Sequence, residues 1–195
     1  MSKFLRVASL ASLALVVATA TVSAQGTKKF GALAGVDFAT MNGNDADGLG
    51  SHTGFVGGLY VTIPMKSSLA LEPEVLYAGL GASVDNTNIN ISHSYIQIPV
   101  LLRYEFNAAG GPYLLLGPSF GFSISCNESD GSASISCSDD GLDSQTTFGG
   151  VFGIGFQKKR FGLEGRYAMD FGNAFKGIDA NNAAWEILAR IGFSK

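Results

Sequence analysis

The chain has 195 residues and a net charge of −3, with 46% hydrophobic but only 15% charged residues. Ordinary globular domains carry about 25% charged residues, whereas this chain is instead rich in glycine (26 residues) and in aromatics (11%). The length suits one domain, and the acidic balance makes nucleic acid a poor partner.

The N-terminal segment has the layout of a secretory signal peptide. Two basic residues precede a mostly apolar run at 7–18, and small residues lead up to Ala24. The run is shorter than the ~20 residues that a membrane-spanning helix needs, which favours cleavage after Ala24 over a retained anchor. We therefore expect residues 1–24 to be removed and residues 25–195 to form one domain.

Eight segments of alternating apolar and polar residues follow, each of about 9–11 residues, the length at which a tilted strand crosses a bilayer. In FGLEGRYAMDF, for example, Leu163 and Tyr167 fall on one face of a strand and Glu164 and Arg166 on the other. The segments lie at residues 30–38, 53–63, 69–77, 95–106, 113–123, 147–157, 161–171 and 184–193.

Short and long connections alternate between these segments. The short ones are PMKSS, NAAGG and QKKR, and the long ones cover residues 41–52, 80–93, 124–146 and 171–183. Transmembrane barrels have an even number of strands, short periplasmic turns and long external loops. We therefore predict an all-β fold, an eight-stranded antiparallel up-and-down transmembrane β-barrel whose first strand starts in the periplasm.

Charge is distributed unevenly between the two kinds of connection. The long connections contain a single basic residue, Lys176, whereas all the charged residues of the short turns are basic. Solvation of loops in general would also place charges there, so the asymmetry supports the barrel without establishing it. The acids of the long connections are Asp45, Asp47, Asp85, Glu128, Asp130, Asp139, Asp140, Asp143 and Asp179.

The two rows of side chains predict which face meets lipid. An eight-stranded barrel has room inside for side chains or one small ligand, which is too little for so many large apolar groups. We expect the apolar row to face lipid and the charged row to face the lumen, where buried charges must pair. The alternative is a set of solvated charges on an open sheet face. The predicted lumen charge network consists of Glu72, Glu74, Arg103, Glu164, Arg166, Glu186 and Arg190.

Two smaller features of the predicted barrel are a pair of cysteines and three prolines within strands. Cys126 and Cys137 both lie in the exported part, where an oxidising compartment favours a disulfide between them. The prolines at 73, 99 and 118 interrupt predicted strands and should cause local bulges or shorter strands.

The sequence suggests no catalytic, metal or cofactor site. The two histidines, His52 and His93, fall near the outer rim, where together with Asp45, Asp47 or Asp170 they could form an acid/base group. Histidines near loops are more often simply polar, so we expect no enzyme activity, no metal and no cofactor.

Several phrases of the sequence are similar to a known family. LEPEVLYAGLG, YIQIPVLLRYEF, GPYLLLGPSFGF, FGGVFGIGFQKKRFGLEGRYAMDFGN and LARIGF resemble the small bacterial outer-membrane β-barrel domain family, often labelled porin-family proteins. The resemblance implies an eight-stranded barrel in the outer membrane of a Gram-negative bacterium. It carries over no catalytic residue.

These observations favour an integral outer-membrane barrel with a side-chain-filled lumen and a structural or surface-interaction role. Its expected partners are outer-membrane lipid and a surface ligand or protein met through the external loops, and a monomer is expected. Narrow-pore transport of small solutes is the alternative function. A secreted soluble barrel that binds a small ligand is a further alternative.

Overall fold

The computed structural model describes residues 27–42, 49–66, 68–84, 90–107, 110–129, 134–136, 146–172 and 181–193. The predicted signal peptide at residues 1–24 lies outside them. Within these ranges there is no helix of the length and apolarity needed to cross a membrane, and every regular element is a β-strand. The strands are β1 (Lys29–Asn42), β2 (Leu49–Gly50), β3 (His52–Lys66), β4 (Leu69–Val84), β5 (Asn90–Glu105), β6 (Gly111–Ser129), β7 (Ser134–Ser136), β8 (Thr147–Lys158), β9 (Phe161–Asp170) and β10 (Asn181–Gly192).

The eight long strands form a closed antiparallel barrel, as the sequence predicts. Around the ring the order is β4, β3, β1, β10, β9, β8, β6 and β5, and β5 pairs with β4 to complete it. The first and last strands meet in continuous register from Gly31 opposite Gly192 to Asn42 opposite Asn181. Closure leaves no free edge among the eight strands, so their backbone groups can bond to neighbours all round the ring.

Two short strands and the unequal heights of the long strands are not predicted by the sequence. The two-residue β2 pairs with the end of β4, and β7 pairs with the end of β6. Strands β4, β5 and β6 run past the predicted segments at the end of the barrel that carries the long connections. We call this end the long-loop end and the opposite one the short-turn end.

The outer surface of the barrel is apolar. In the described strands, the outward-facing positions between the two ends contain no Asp, Glu, Lys or Arg. Lys158 faces outward at the short-turn end, where this apolar surface stops. Leu163 is 60% exposed on this surface, whereas Glu164 beside it is 1% exposed and points inside. The large exposed side chains therefore form a band around the barrel that suits contact with hydrocarbon.

Aromatic side chains concentrate near both ends of this band. Phe148 contacts both Phe120 and Phe171 at the long-loop end, with ring centroids 5.2 and 5.8 Å away. At the short-turn end Tyr104 and Phe106 pack edge to face, 5.1 Å apart. Such girdles are typical of transmembrane barrels, in which aromatic rings sit at the two interfaces.

The three prolines leave the strand register intact, so the prediction of bulges at these positions is wrong. Pro73 lies opposite Val100, Pro99 opposite Ser119 and Pro118 opposite Gly150. On its other side each proline interrupts the pairing for two residues, and the register resumes unchanged beyond the gap. Register shifts instead occur at Pro64–Lys66 and at Ser94–Tyr95. A proline removes only one donor from a ladder, and the many bonds of the neighbouring residues hold the register.

Candidate functional site

Glycines make space for two tyrosine rings that lie across the lumen. A Cβ added at Gly31 would collide with the ring of Tyr60, and one at Gly155 would collide with the ring of Tyr113. Both rings are almost completely buried. The glycines of the inward rows therefore have a packing role here, because the opposing ring occupies the volume of the missing side chain.

Glu72 joins two arginines near the short-turn end of the lumen. Arg190 donates from Nη1 to Glu72 Oε1 (3.0 Å) and from Nη2 to Oε2 (2.9 Å), which is a bidentate pair. Arg103 donates to the same carboxylate at 3.3 Å, and Thr62 donates its hydroxyl to Oε2 at 2.5 Å. Bidentate, charge-assisted pairs of this kind are the strong ones. They fix Glu72 at the junction of β4, β5 and β10.

Arg166 forms the second centre of the network, deeper in the barrel. It makes a bidentate pair with Glu74, with distances of 2.7 and 2.9 Å. Its Nε also donates to Glu164, and it lies 3.8 Å from Glu186 Oε2. Glu164 in turn accepts a 2.7 Å bond from Arg190, so both centres are connected. The structure thus brings together all seven residues of the predicted network.

Two of the three buried tyrosines, Tyr60 and Tyr113, pack against the guanidinium groups. Tyr113 donates its hydroxyl to Glu164 at 2.7 Å, and the guanidinium carbon of Arg103 lies 3.6 Å from its ring centroid. The guanidinium of Arg190 stacks over Tyr60 at 4.1 Å. Desolvated cation–π contacts add to the ion pairs, so the arginines are held from several sides. Neither tyrosine was predicted to lie in the lumen, although each occupies an inward position of its strand.

Buried apolar side chains also pack in the lumen, where only the charged row was predicted from the sequence. One cluster lies towards the long-loop end and includes Leu33, Leu76 and Leu188. A second includes Leu101 and Leu115. The signal was present in the sequence, since these leucines share the parity of the charged residues.

One pair of acids in the lumen is poorly compensated. Asp37 on β1 lies directly opposite Glu186 on β10, and both are buried. Within the described part of the chain, no side chain donates a hydrogen bond to either carboxylate oxygen of Asp37 or to Oε2 of Glu186, and only the backbone of Gly54 lies beside Asp37. Like charges directly opposite each other on neighbouring strands are destabilising. The pair is therefore a weak point of the packing, and Asp37 was not in the predicted network.

The other predicted site residues are placed as follows. Asp170 accepts a 3.1 Å bond from Asn182, which also donates to Tyr95 at 3.4 Å. Asp45, Asp47 and Cys137 lie outside the described residues, and for His52, His93 and Cys126 only the backbone is described. No group of three His, Cys, Asp or Glu placed to hold a metal ion occurs in the described ranges.

The closed sheet, the apolar outer band and the ionic interior together define an integral β-barrel membrane protein. The chain matches the outer membrane protein beta-barrel domain family over residues 22–176 and belongs to that family. It is accordingly a protein of the outer membrane. No curated protein sequence matches the chain.

Solved outer-membrane barrels share this fold at low sequence identity. The crystal structure of Neisserial surface protein A (NspA) is 14% identical with a TM-score of 0.57, covering 86% of this chain and 100% of that one. Ail, the attachment invasion locus protein of Yersinia pestis, in complex with the heparin analogue sucrose octasulfate, is 14% identical with a TM-score of 0.52 and the same coverage. At such identities the likeness shows the fold alone.

Proposed function

We propose that this protein is a non-conducting outer-membrane barrel that serves as a scaffold for its long external loops, in a structural or surface-interaction role. The observation that carries the proposal is the packing of the lumen. Arg166, Arg190, Glu72, Glu74 and Glu164 are each at most 2% exposed and bond to one another across the barrel. A solute would have to displace several mutually paired charges to pass.

The proposed orientation places the long connections outside the cell and the short turns in the periplasm, following the general rule for such barrels. The external connections would then be acidic, since their sequence holds one base among many acids. A sulfated glycan, such as the heparin analogue bound to Ail, would be repelled by this charge. A protein or ligand with a cationic surface is the partner that the loops favour.

We also propose a disulfide between Cys126 and Cys137 that closes the longest external loop. Their chain neighbours Asn127 and Ser136 are Cα partners in the β6–β7 pairing. Directly opposed positions of an antiparallel pair have Cα atoms ~4.5–5.5 Å apart, which falls within the range a disulfide spans. In the folded protein neither thiol should react with an alkylating agent until a reductant is added. Alkylation of both cysteines without reductant would contradict the disulfide.

We propose that the barrel is a monomer and has no enzymatic role. The eight strands of the closed ring offer no free edge for pairing with a second copy, which supports a monomer. The family match transfers no catalytic residue to this chain, and we propose a non-enzymatic role.

Single-channel recording in planar bilayers tests the proposal against narrow-pore transport. The purified barrel should give no steady conductance steps at either polarity. Heat-modifiable gel migration of the same reconstituted sample is the control that shows that the folded barrel has inserted. Steady openings by the wild-type protein would overturn the scaffold proposal and favour transport.

A further inference from the structure

A cavity of about 360 Å³ opens at the short-turn end of the lumen, below the charge network. It lies on the inner side of the strands, since Thr62 and Arg103 of its wall are inward-facing and buried. Its remaining charged lining comes from the ends of β1 and β5 and from the turn between β8 and β9. The charged residues of the lining are Lys29, Arg103, Glu105, Lys159 and Arg160.

Three of the four cations of this cavity are uncompensated. Arg103 is fully engaged, because it bonds to Glu72, Glu105 and Gln157. Within the described part of the chain, Lys29, Lys159 and Arg160 form no ion pair. The one acid of the lining, Glu105, is already paired with Arg103. The cavity therefore carries an excess of positive charge that nothing described in the protein neutralises.

The walls leave room for a ligand between these cations. A Cβ added at Gly192 would meet only the Tyr60 hydroxyl at 3.6 Å and the backbone of Arg160 beyond it. A Cβ at Gly111 would meet only Asn107, at 3.7 Å. These glycines differ from Gly31 and Gly155, whose missing side chains are replaced by tyrosine rings. Clefts lined by charge of one sign concentrate ions of the opposite sign.

We infer that this cavity is a binding site for a small, water-soluble phosphate-bearing anion. Lysine supplies a mobile point charge, and arginine supplies a planar set of donors that matches a phosphate group. The cavity faces the axis of the barrel, so a soluble anion can enter it directly. On the outer side, Lys158 ends an outward row beside Phe156 and lines, together with Lys159 and Arg160, a cleft where a lipid phosphate would bind. Lys29 lines the inner cavity and not this outer cleft. The inference goes beyond the scaffold role and does not depend on it.

Lys159 gives a suitable variant for the test. Its φ of 56° is in the left-handed region, which costs a non-glycine residue energy that glycine does not pay. Lys159→Gly therefore removes the ammonium group while easing the backbone. Lys158→Ala is the matched control, since it removes the neighbouring charge on the outer side.

The experiment is a calorimetric titration of the full-length barrel in non-ionic detergent with inorganic phosphate, with a second titration by phosphatidylglycerol mixed micelles. We expect saturable phosphate binding by the wild-type protein, weakened about tenfold in Lys159→Gly and in Lys29→Ala but unchanged in Lys158→Ala. Gly192→Leu, which fills the cavity without changing charge, should also abolish binding.

Three outcomes would overturn the inference. The first is no saturable heat with phosphate for a barrel that is folded by circular dichroism. The second is an equal loss in Lys158→Ala and Lys159→Gly, which would mean a diffuse surface charge. Saturation only by phosphatidylglycerol micelles would assign the cations to lipid and exclude the soluble-anion site.

Discussion

Among the described residues, five carboxylates and three guanidinium groups are buried in the lumen. Breaking a buried pair by removing one partner leaves an uncompensated charge, and this costs more than the intact pair contributes. Each arginine is therefore more important to stability than a surface base. Seven of these eight residues, all except Asp37, belong to the network that the sequence predicted from their shared parity. The pairing between them depends on distances across the barrel that no local pattern encodes.

Arg166→Met should lower the free energy of unfolding by about 3–5 kcal/mol, because Glu74 loses its bidentate partner in a buried site. Urea unfolding of the barrel in lipid vesicles measures the change. Lys158→Met, which removes an exposed base, should change stability by less than about 0.5 kcal/mol. Equal changes in the free energy of unfolding for the two substitutions would show that the buried ion pair contributes no more to stability than an exposed base.

Asp37→Asn should have the opposite sign and raise stability by up to about 1 kcal/mol, because it removes one of two like charges that face each other across β1 and β10. The same urea assay applies. Glu74→Gln, at an acid with a good partner, should destabilise the barrel and provides the contrast. A destabilised Asp37→Asn protein would mean that the carboxylate has a compensating partner in the folded state.

At the level of the strand, alternation decided most of what could be predicted. A period of two sends Leu163 outside and Glu164 inside, and the same period identified all eight long strands. Three properties of the strands could not be predicted from this alternation. Leucines such as Leu101 lie in the lumen because their side chains fit the space there. The prolines are tolerated because the neighbouring residues hold the register. Strands β4–β6 extend beyond the apolar segments because their pairing continues outside the predicted lipid band.

A charge on the outward face tests the membrane-facing assignment. Ile154 lies in the middle of β8 and is 58% exposed on the apolar band. Ile154→Arg should cost about 2–4 kcal/mol in vesicles, since a cation at the bilayer midplane is poorly solvated. Ile154→Val is the control with little effect. An arginine tolerated without loss at this position would place the surface in water.

At the scale of the whole molecule, closure makes the barrel one cooperative unit. The even number of strands and the alternating connection lengths predicted the ring, and the structure confirms it. What could not be predicted is which arginine meets which glutamate. Glu72 and Arg190 are far apart in the chain and become neighbours only when the ring is complete.

Heat-modifiable gel migration reports this closure directly. In detergent, the unheated protein should remain a compact barrel and migrate differently from the boiled sample. The double variant Arg166→Met with Arg190→Met should lose the difference at a lower temperature than the wild-type protein. A wild-type protein that migrates identically before and after boiling would contradict a stable closed barrel.

The pairing of the first strand with the last has a consequence for biogenesis. Arg190 and Glu186 are on the final strand, whereas Glu72 and Glu74 are on an early one. A sheet that lacks its last strand therefore loses Arg190, which leaves Glu72 with Arg103 alone and Glu164 with Arg166 alone and so disfavours burial in hydrocarbon. We expect membrane entry to await the arrival of the C-terminal strand, so that the ionic interior itself times the final step of assembly.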